Sequence, residues 1–239
     1  TAGRWVLFDS LASNLTGRIT PGNSQVHLHD LSTGLTELVA LGQGNALGEL
    51  GTFDARISDD GRWVAFSSRS TNLVTDYQAR ATDLYLRDRS NGVVRQLGLG
   101  PISESTVSGG FRVRSYDMSP DGRYVAMVVG GGRYRVGDTT NAAPLALWYD
   151  LGSDVVRAVT PPGVASATDS IRLADGGRRV FVDVTPVGES TSRVMAWDEA
   201  NGLQTLEQLI LTLPAVGPAC TNSELVDVTV DGSRLVIAS

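Results

Sequence analysis

The sequence predicts an all-β fold, a β-propeller of four-stranded antiparallel blades, and three observations in its 239 residues predict it. One apolar string recurs five times along the chain, a second string follows each of its first four copies, and helical periodicity is nearly absent.

The first string reads GRWVLF from Gly3, DGRWVAF from Asp60, DGRYVAM from Asp121, DGGRRVFV from Asp175 and DGSRLVIA from Asp231. Its shared valine falls at Val6, Val64, Val125, Val180 and Val236, so the repeats are 58, 61, 55 and 56 residues apart. The second string appears as VHLHDLSTG, LYLRDRSNG, LWYDLGSD and VMAWDEANG. Each is a short apolar run, then an aspartate (Asp30, Asp88, Asp150, Asp198) and a turn. Aspartate caps the turn backbone and a glycine beyond it accepts positive φ, so these segments are hairpins.

Each repeat therefore holds an arriving strand such as FDARIS from Phe53, the marker strand, the strand before the aspartate turn, and a departing strand such as VVRQL from Val93. Marker strands are apolar on both faces, Val64 and Phe66 against Trp63 and Ala65, so the sheet is covered on both sides. Stacked blades supply that cover. The segment LQTLEQLILTL from Leu203 approaches helical spacing and is read as a departing strand followed by loop or a helical turn. One propeller domain over 1–239 is expected, with blade segments near 1–50, 51–105, 106–163, 164–215 and 216–239.

DGRWVAFSS with TNLV after it, then TDLYLRDRSNG, resembles the repeats of TolB-like propellers, and the likeness runs through all five repeats. Blades 3 and 4 depart from it, since Asp150 lacks a glycine four residues on and Gly177 is an extra residue after Asp175. The resemblance implies an exported bacterial protein, periplasmic or secreted, whose propeller binds other proteins. It also implies kinship with propellers that stand in front of serine peptidase domains. The repeats open and close on a marker strand, which leads us to expect part of a longer propeller of six to eight blades, or a shortened one of four to five.

Composition narrows the function. A formal charge of −6 and a pI near 4.9 argue against a nucleic-acid partner, since phosphate neutralisation needs a basic face. All twenty basic residues are arginine, which removes lysine Schiff-base chemistry. Cys220 is the sole cysteine, so neither an internal disulfide nor a paired-cysteine metal site forms. No window is long and apolar enough for a membrane helix and the first residues lack signal-peptide regions, so the chain is read as soluble or as already shorn of a leader.

Antiparallel order sorts the connections. The first and third connections of a blade share one end, and the second shares the other with the link to the next blade. First and third are tight turns here. The second connections, Asp9 to Gln25, Ser67 to Asp83, Val128 to Pro144 and Asp183 to Arg193, are long, as are the Gly- and Ser-rich links. Long loops on a rigid scaffold carry function, so this face is the expected binding face. Its candidate contacts are Asn14, Asn72, Asp76, Arg80, Asp83, Arg133, Tyr134, Arg135, Asp138 and Asn141.

Other constellations give less. His27 and His29 share a strand face, yet the equivalent positions hold Tyr85, Leu147 and Met195 and then Arg87, Tyr149 and Trp197, which makes them packing slots rather than metal ligands. The recurring aspartates are turn cappers. Asp76 with Asp83, and Asp138 with Asn141, offer hard oxygens that could hold calcium, without the spacing of a known calcium loop; no other cofactor is expected. There is no Gly-x-Ser-x-Gly elbow, and GGGRYRVGD from Gly130 has no P-loop lysine and reads as a flexible loop. Asn14-Leu15-Thr16 matches a glycosylation acceptor. The expected function is a non-enzymatic scaffold that binds a protein or extended polymer. The alternatives are a propeller serving a hydrolase or lyase whose catalytic part lies elsewhere, and a module that self-assembles through unpaired edge strands.

Overall fold

A computed structural model of the chain describes residues 3–18, 22–75, 83–97, 112–130, 133–136, 139–142, 144–160, 165–205, 224–229 and 235–238. The all-β propeller class is what is observed: antiparallel sheets in sequence order, with only two short 3-10 turns among the described residues. Blade 1 is the three-stranded sheet β1 (Trp5–Ser10), β2 (Gln25–Asp30) and β3 (Leu35–Leu38). Blade 2 has four strands, β4 (Thr52–Ile57), β5 (Trp63–Ser68), β6 (Asp83–Asp88) and β7 (Val94–Leu97). In blade 3, β8 (Arg112–Met118) and β9 (Tyr124–Gly130) are followed by a separate hairpin, β10 (Arg133–Val136) and β11 (Thr139–Ala142). The sheet is then completed by β12 (Leu145–Asp150) and β13 (Val155–Ala158). Blade 4 holds β14 (Ala165–Ala174), β15 (Arg179–Pro186), β16 (Arg193–Asp198) and β17 (Gly202–Thr205). A last two-stranded sheet pairs β18 (Glu224–Val228) with β19 (Leu235–Ala238).

Two compact units result. The first takes Thr1–Gly98 with Gly110–Arg112 and Pro120–Gly122, and the second takes Leu99–Gly109, Val113–Ser119 and Arg123–Ser239. In the first, Val26, Leu28, Val64, Phe66, Leu73 and Tyr85 form a buried cluster. In the second, Ala126, Val128, Trp148, Ile171, Val180, Val182 and Trp197 do the same. The two-faced marker strands explain both: β9 is buried at every position, as a sheet with cover on each side requires.

Blades 1, 2 and 3 are each fastened by an arginine fork. Arg62 donates from Nε to Asp88 Oδ1 at 3.1 Å and from Nη2 to Oδ2 at 2.8 Å. Arg4 grips Asp30 at 3.1 and 2.8 Å, and Arg123 grips Asp150 at 3.0 and 2.9 Å. Parallel N–H···O bonds to a carboxylate are among the stronger polar contacts available to a protein. The same guanidiniums lie over the following aromatic ring, Arg4 over Trp5 at 4.1 Å, Arg62 over Trp63 at 4.7 Å and Arg123 over Tyr124 at 4.9 Å. The aspartates also cap their hairpins: Asp88 Oδ1 accepts from Ser90 N and Oγ, and Asp30 Oδ1 from Ser32 N and Oγ. The fork holds all three carboxylates well below the usual carboxylate range.

The glycine of Asp-Gly-Arg has a second role that the turn reading does not supply. A Cβ on Gly61 would lie 2.8 Å from the Trp5 ring, and one on Gly122 2.6 Å from Trp63, both with positive φ. A Cβ on Gly177 would lie 2.5 Å from Tyr124, so the extra residue in blade 4 keeps a glycine where that ring packs. The missing glycine of blade 3 is also explained, because Asp154 itself takes φ +58, beside Gly34 at +70 and Gly92 at +74. Its side chain accepts a hydrogen bond from the Tyr149 hydroxyl.

Two tests follow from this packing. Gly122→Ala forces a methyl into the Trp63 ring at positive φ and should cost about 1–3 kcal/mol in urea unfolding. Gly92→Ala, with open space around it, should cost only the left-handed backbone term of about 1–2 kcal/mol, so Gly122→Ala is the more damaging.

Candidate functional site

The strand order puts the turns Ser58–Arg62 and Arg89–Val93 at one end of blade 2 and the connection after Ser68 at the other. That far end, in the first unit, is built from the described residues 11–18 and 22–24 of blade 1, the link 39–51 and 69–74 of blade 2. They are bonded into one surface. Asn72 accepts from Glu49 N at 3.3 Å and donates to Leu47 O at 2.8 Å. Glu49 Oε1 accepts from Thr71 N at 3.0 Å and Thr71 Oγ1 at 2.5 Å, which draws its carboxyl below the ordinary value. Asn23 donates to Glu49 O at 2.6 Å, and Leu50 N donates to Ser70 Oγ at 3.0 Å.

Beneath the surface lies a buried polar layer. Gln25 Nε2 donates to Gly48 O at 3.1 Å, while Thr52 Oγ1 accepts from Val26 N at 3.0 Å and donates to Gln25 Oε1 at 3.2 Å. Buried polar groups persist when so paired. Arg87, itself buried, donates to Leu41 O at 3.1 Å and to Asn45 Oδ1 at 2.6 Å, and Arg18 reaches Asn45 O at 2.7 Å. Burial lowers the Arg87 guanidinium below its ordinary value. Two glycines permit the close approach, since a Cβ on Gly42 would meet Leu73 Cα at 2.6 Å and one on Gly48 would meet Ser70 Oγ at 2.7 Å. Over this framework Leu11, Leu15 and Leu50 are exposed, while the turn end of the same blades exposes Leu31, Leu35 and Val93.

Of the residues singled out in the sequence, Asn14 is exposed in the first connection and Asn72 is spent in holding the link. Asp83 opens β6 opposite Ser68. Arg133, Tyr134 and Arg135 do not lie in a flexible loop: they form β10, and Asn141 on β11 stands directly opposite Tyr134. Alternation of Arg, Tyr, Arg and Val against Thr, Thr, Asn and Ala is strand patterning, and the neighbouring glycines hid it. Asp76, Arg80 and Asp138 lie outside the described residues, and with them one half of each proposed calcium pair, as does 206–213 of the ambiguous Leu203 segment.

His27 occupies a packing slot, as its repeat position indicates. Fully buried, it stacks on Phe8 at 5.4 Å, just as Tyr85 stacks on Phe66 at 5.6 Å one blade later. Its Nδ1 faces Gln25 O at 2.9 Å and its Nε2 has no partner among the described atoms. His29 Nδ1 pairs with Thr36 Oγ1 at 2.9 Å. Among the described residues no group of three or more His, Cys, Asp or Glu could hold a metal, and no helix is long and apolar enough to cross a membrane. Sequence reasoning missed the arginine forks, although their signal was present: Arg4 to Asp30 and Arg62 to Asp88 both span 26 residues, and Arg123 to Asp150 spans 27.

No family model matches the chain, and no curated protein does either. Among solved structures it is similar to the tricorn protease, with a TM-score of 0.51 and 11% identity over 90% of this chain and 19% of that one. The β-propeller domain of the Trilobed protease from Pyrococcus furiosus gives 0.48 and 14% identity, over 83% of this chain and 53% of that one. Porphyromonas gingivalis dipeptidyl peptidase 4 gives 0.49 and 13% identity, over 85% and 31%. The chain thus spans well under two thirds of each, and the likeness is one of fold.

Burial pushes the His27 imidazole below its ordinary value of 6.5, so the unfolded chain binds more protons than the folded one beneath that pH. Stability should be full above about pH 6.5 and fall as the pH drops below it, and His27→Leu should flatten that limb of the urea-midpoint profile. At the loop end, Asn72→Ala should speed hydrogen exchange of the Glu49 amide while leaving the exchange of β5 amides unchanged.

Proposed function

We propose that the chain is a non-enzymatic propeller scaffold that binds a protein or an extended polymer through its loop-bearing face. The observation that carries this reading is the hydrogen-bonded surface of 11–18, 22–24, 39–51 and 69–74. Long connections are fixed there by Asn72, Glu49, Gln25 and Arg87 while three leucines stay exposed. A pre-ordered surface with apolar side chains meets a partner without an ordering cost, which is how rigid scaffolds present loops. Asn14, Asp83, Arg133, Tyr134, Arg135 and Asn141 are the further contacts proposed from this chain, with Asp76, Arg80 and Asp138. Aromatic and arginine side chains are the usual anchors of such interfaces. The TolB-like form of the repeats supports a protein partner and an exported, periplasmic or secreted location.

A second reading has its own support: the three similar solved structures described above are named as peptidases or proteases. On it, this propeller serves a hydrolase or lyase whose catalytic part lies outside this chain, and the loop-bearing face receives that part.

Photo-crosslinking in the source cell separates the two ends of the blades. A crosslinker at Asn14 or at Arg135 should capture a defined protein, and one at Thr33 or Asn91 in the turns should not. Capture from the turn positions alone would overturn the proposal. A captured hydrolase domain of the same polypeptide would establish the second reading in place of the first.

A further inference from the structure

We propose that Asn91, in the Asn91-Gly92 turn of blade 2, is a site of spontaneous deamidation, and that Asn201, in the equivalent Asn201-Gly202 turn of blade 4, is protected by Asp198. Both asparagines are exposed and both precede a glycine with positive φ, Gly92 at +74 and Gly202 at +70, so sequence and backbone are alike. What differs is the hydrogen bonding of the side-chain amide.

In the reaction, the Gly92 backbone nitrogen loses its proton to solvent base and attacks Asn91 Cγ. The new C–N bond closes a succinimide, and the side-chain nitrogen leaves as ammonia after taking up a proton. Water then opens the ring at either carbonyl, giving aspartate or isoaspartate. The net change is one water consumed and one ammonia released, with no change of oxidation state. The reaction needs an electrophilic Cγ, a leaving nitrogen free to depart, and an attacking nitrogen unhindered by a side chain, which glycine supplies.

At Asn91 the conditions on Cγ and on the leaving nitrogen are met, while Gly92 N, which donates to Asp88 O at 2.8 Å, attacks once that turn bond opens to solvent. Asn91 Oδ1 accepts a hydrogen bond from Val93 N at 2.9 Å, which withdraws electron density from Cγ, and this is its single described side-chain bond. At Asn201 they are not. Nδ2 donates to both oxygens of Asp198, at 2.9 and 3.0 Å, and Asn201 N donates to Oδ1 at 2.8 Å. The leaving nitrogen is pinned by a carboxylate, whose charge also opposes formation of the amide anion.

The cause lies in what else each aspartate holds. Asp88 is occupied by the Arg62 fork and by Ser90, so it leaves Asn91 alone. In blade 4 the serine position is Ala200, and among the described hydrogen bonds no arginine grips Asp198, so its oxygens take Asn201 instead. Deamidation at Asn91 would place a new carboxylate three residues from Asp88 and, as isoaspartate, route the turn backbone through an extra carbon.

The test is peptide mapping of the intact chain aged at mildly alkaline pH under native conditions. Trypsin releases Asn91 on Ser90–Arg95 and Asn201 on Val194–Arg234, so each conversion is read separately by mass spectrometry. Conversion at Asn91 should run several-fold ahead of Asn201 in the folded chain, and the two should converge in strong denaturant, where only the shared Asn-Gly dipeptide acts. Equal or reversed rates in the folded chain would overturn the proposal, as would a gap that persists after unfolding.

Discussion

The arginine fork on the hairpin aspartate is the contact on which each of the first three repeats depends. One guanidinium ties the start of the marker strand to the end of the next strand, covers the aromatic ring beside it and fills the acceptor sites of a carboxylate that also caps the turn. The ring in turn packs where only a glycine leaves room, at Gly61 under Trp5 and at Gly122 under Trp63. Fork, ring, cap and glycine are four demands on one short string, which is why Asp-Gly-Arg-aromatic recurs so closely.

This arrangement divides labour between the ends of a blade. At the turn end, charged and aromatic side chains are consumed by fastening. Arg89 spans from its hairpin to Glu37 and the Gly61 carbonyl, and in the second unit Arg157 meets Glu199 in the same positions with the charges exchanged. Such exposed pairs add little stability singly. At the loop end the buried polar layer of Gln25, Thr52, Ser68 and Ser70 supports connections whose outer residues are not required for the fold. A surface that is fixed from beneath and unconstrained above is where binding can diversify.

Much of the fold was legible in the sequence, because the marker valine and the aspartate hairpin are local patterns. The strands of blade 2 fall where FDARIS, WVAF, LYLRD and VVRQL put them. His27 was legible too, since its repeat position holds Tyr85 one blade later. What stayed hidden was contact at a distance: Arg62 and Asp88 read as two turn residues until β5 and β6 bring them together, and Gly122 read as a turn glycine until Trp63 lay against it. The β10 and β11 hairpin was masked by flanking glycines that made a strand pair look like a loop. Of the candidate site, Asn72 was singled out for a ligand and is spent on the link instead. A polar loop residue that anchors its neighbours looks the same in sequence as one that waits for a partner.

A double-mutant cycle on Arg62 and Asp88 tests the central claim most directly, with urea midpoints measured for Arg62→Ala, Asp88→Ala and the pair. If the fork organises the repeat, each single change lowers the midpoint and the double change lowers it little beyond the worse of the two. Effects that add in full would mean that the two side chains act independently and that the fork does not hold the blade together.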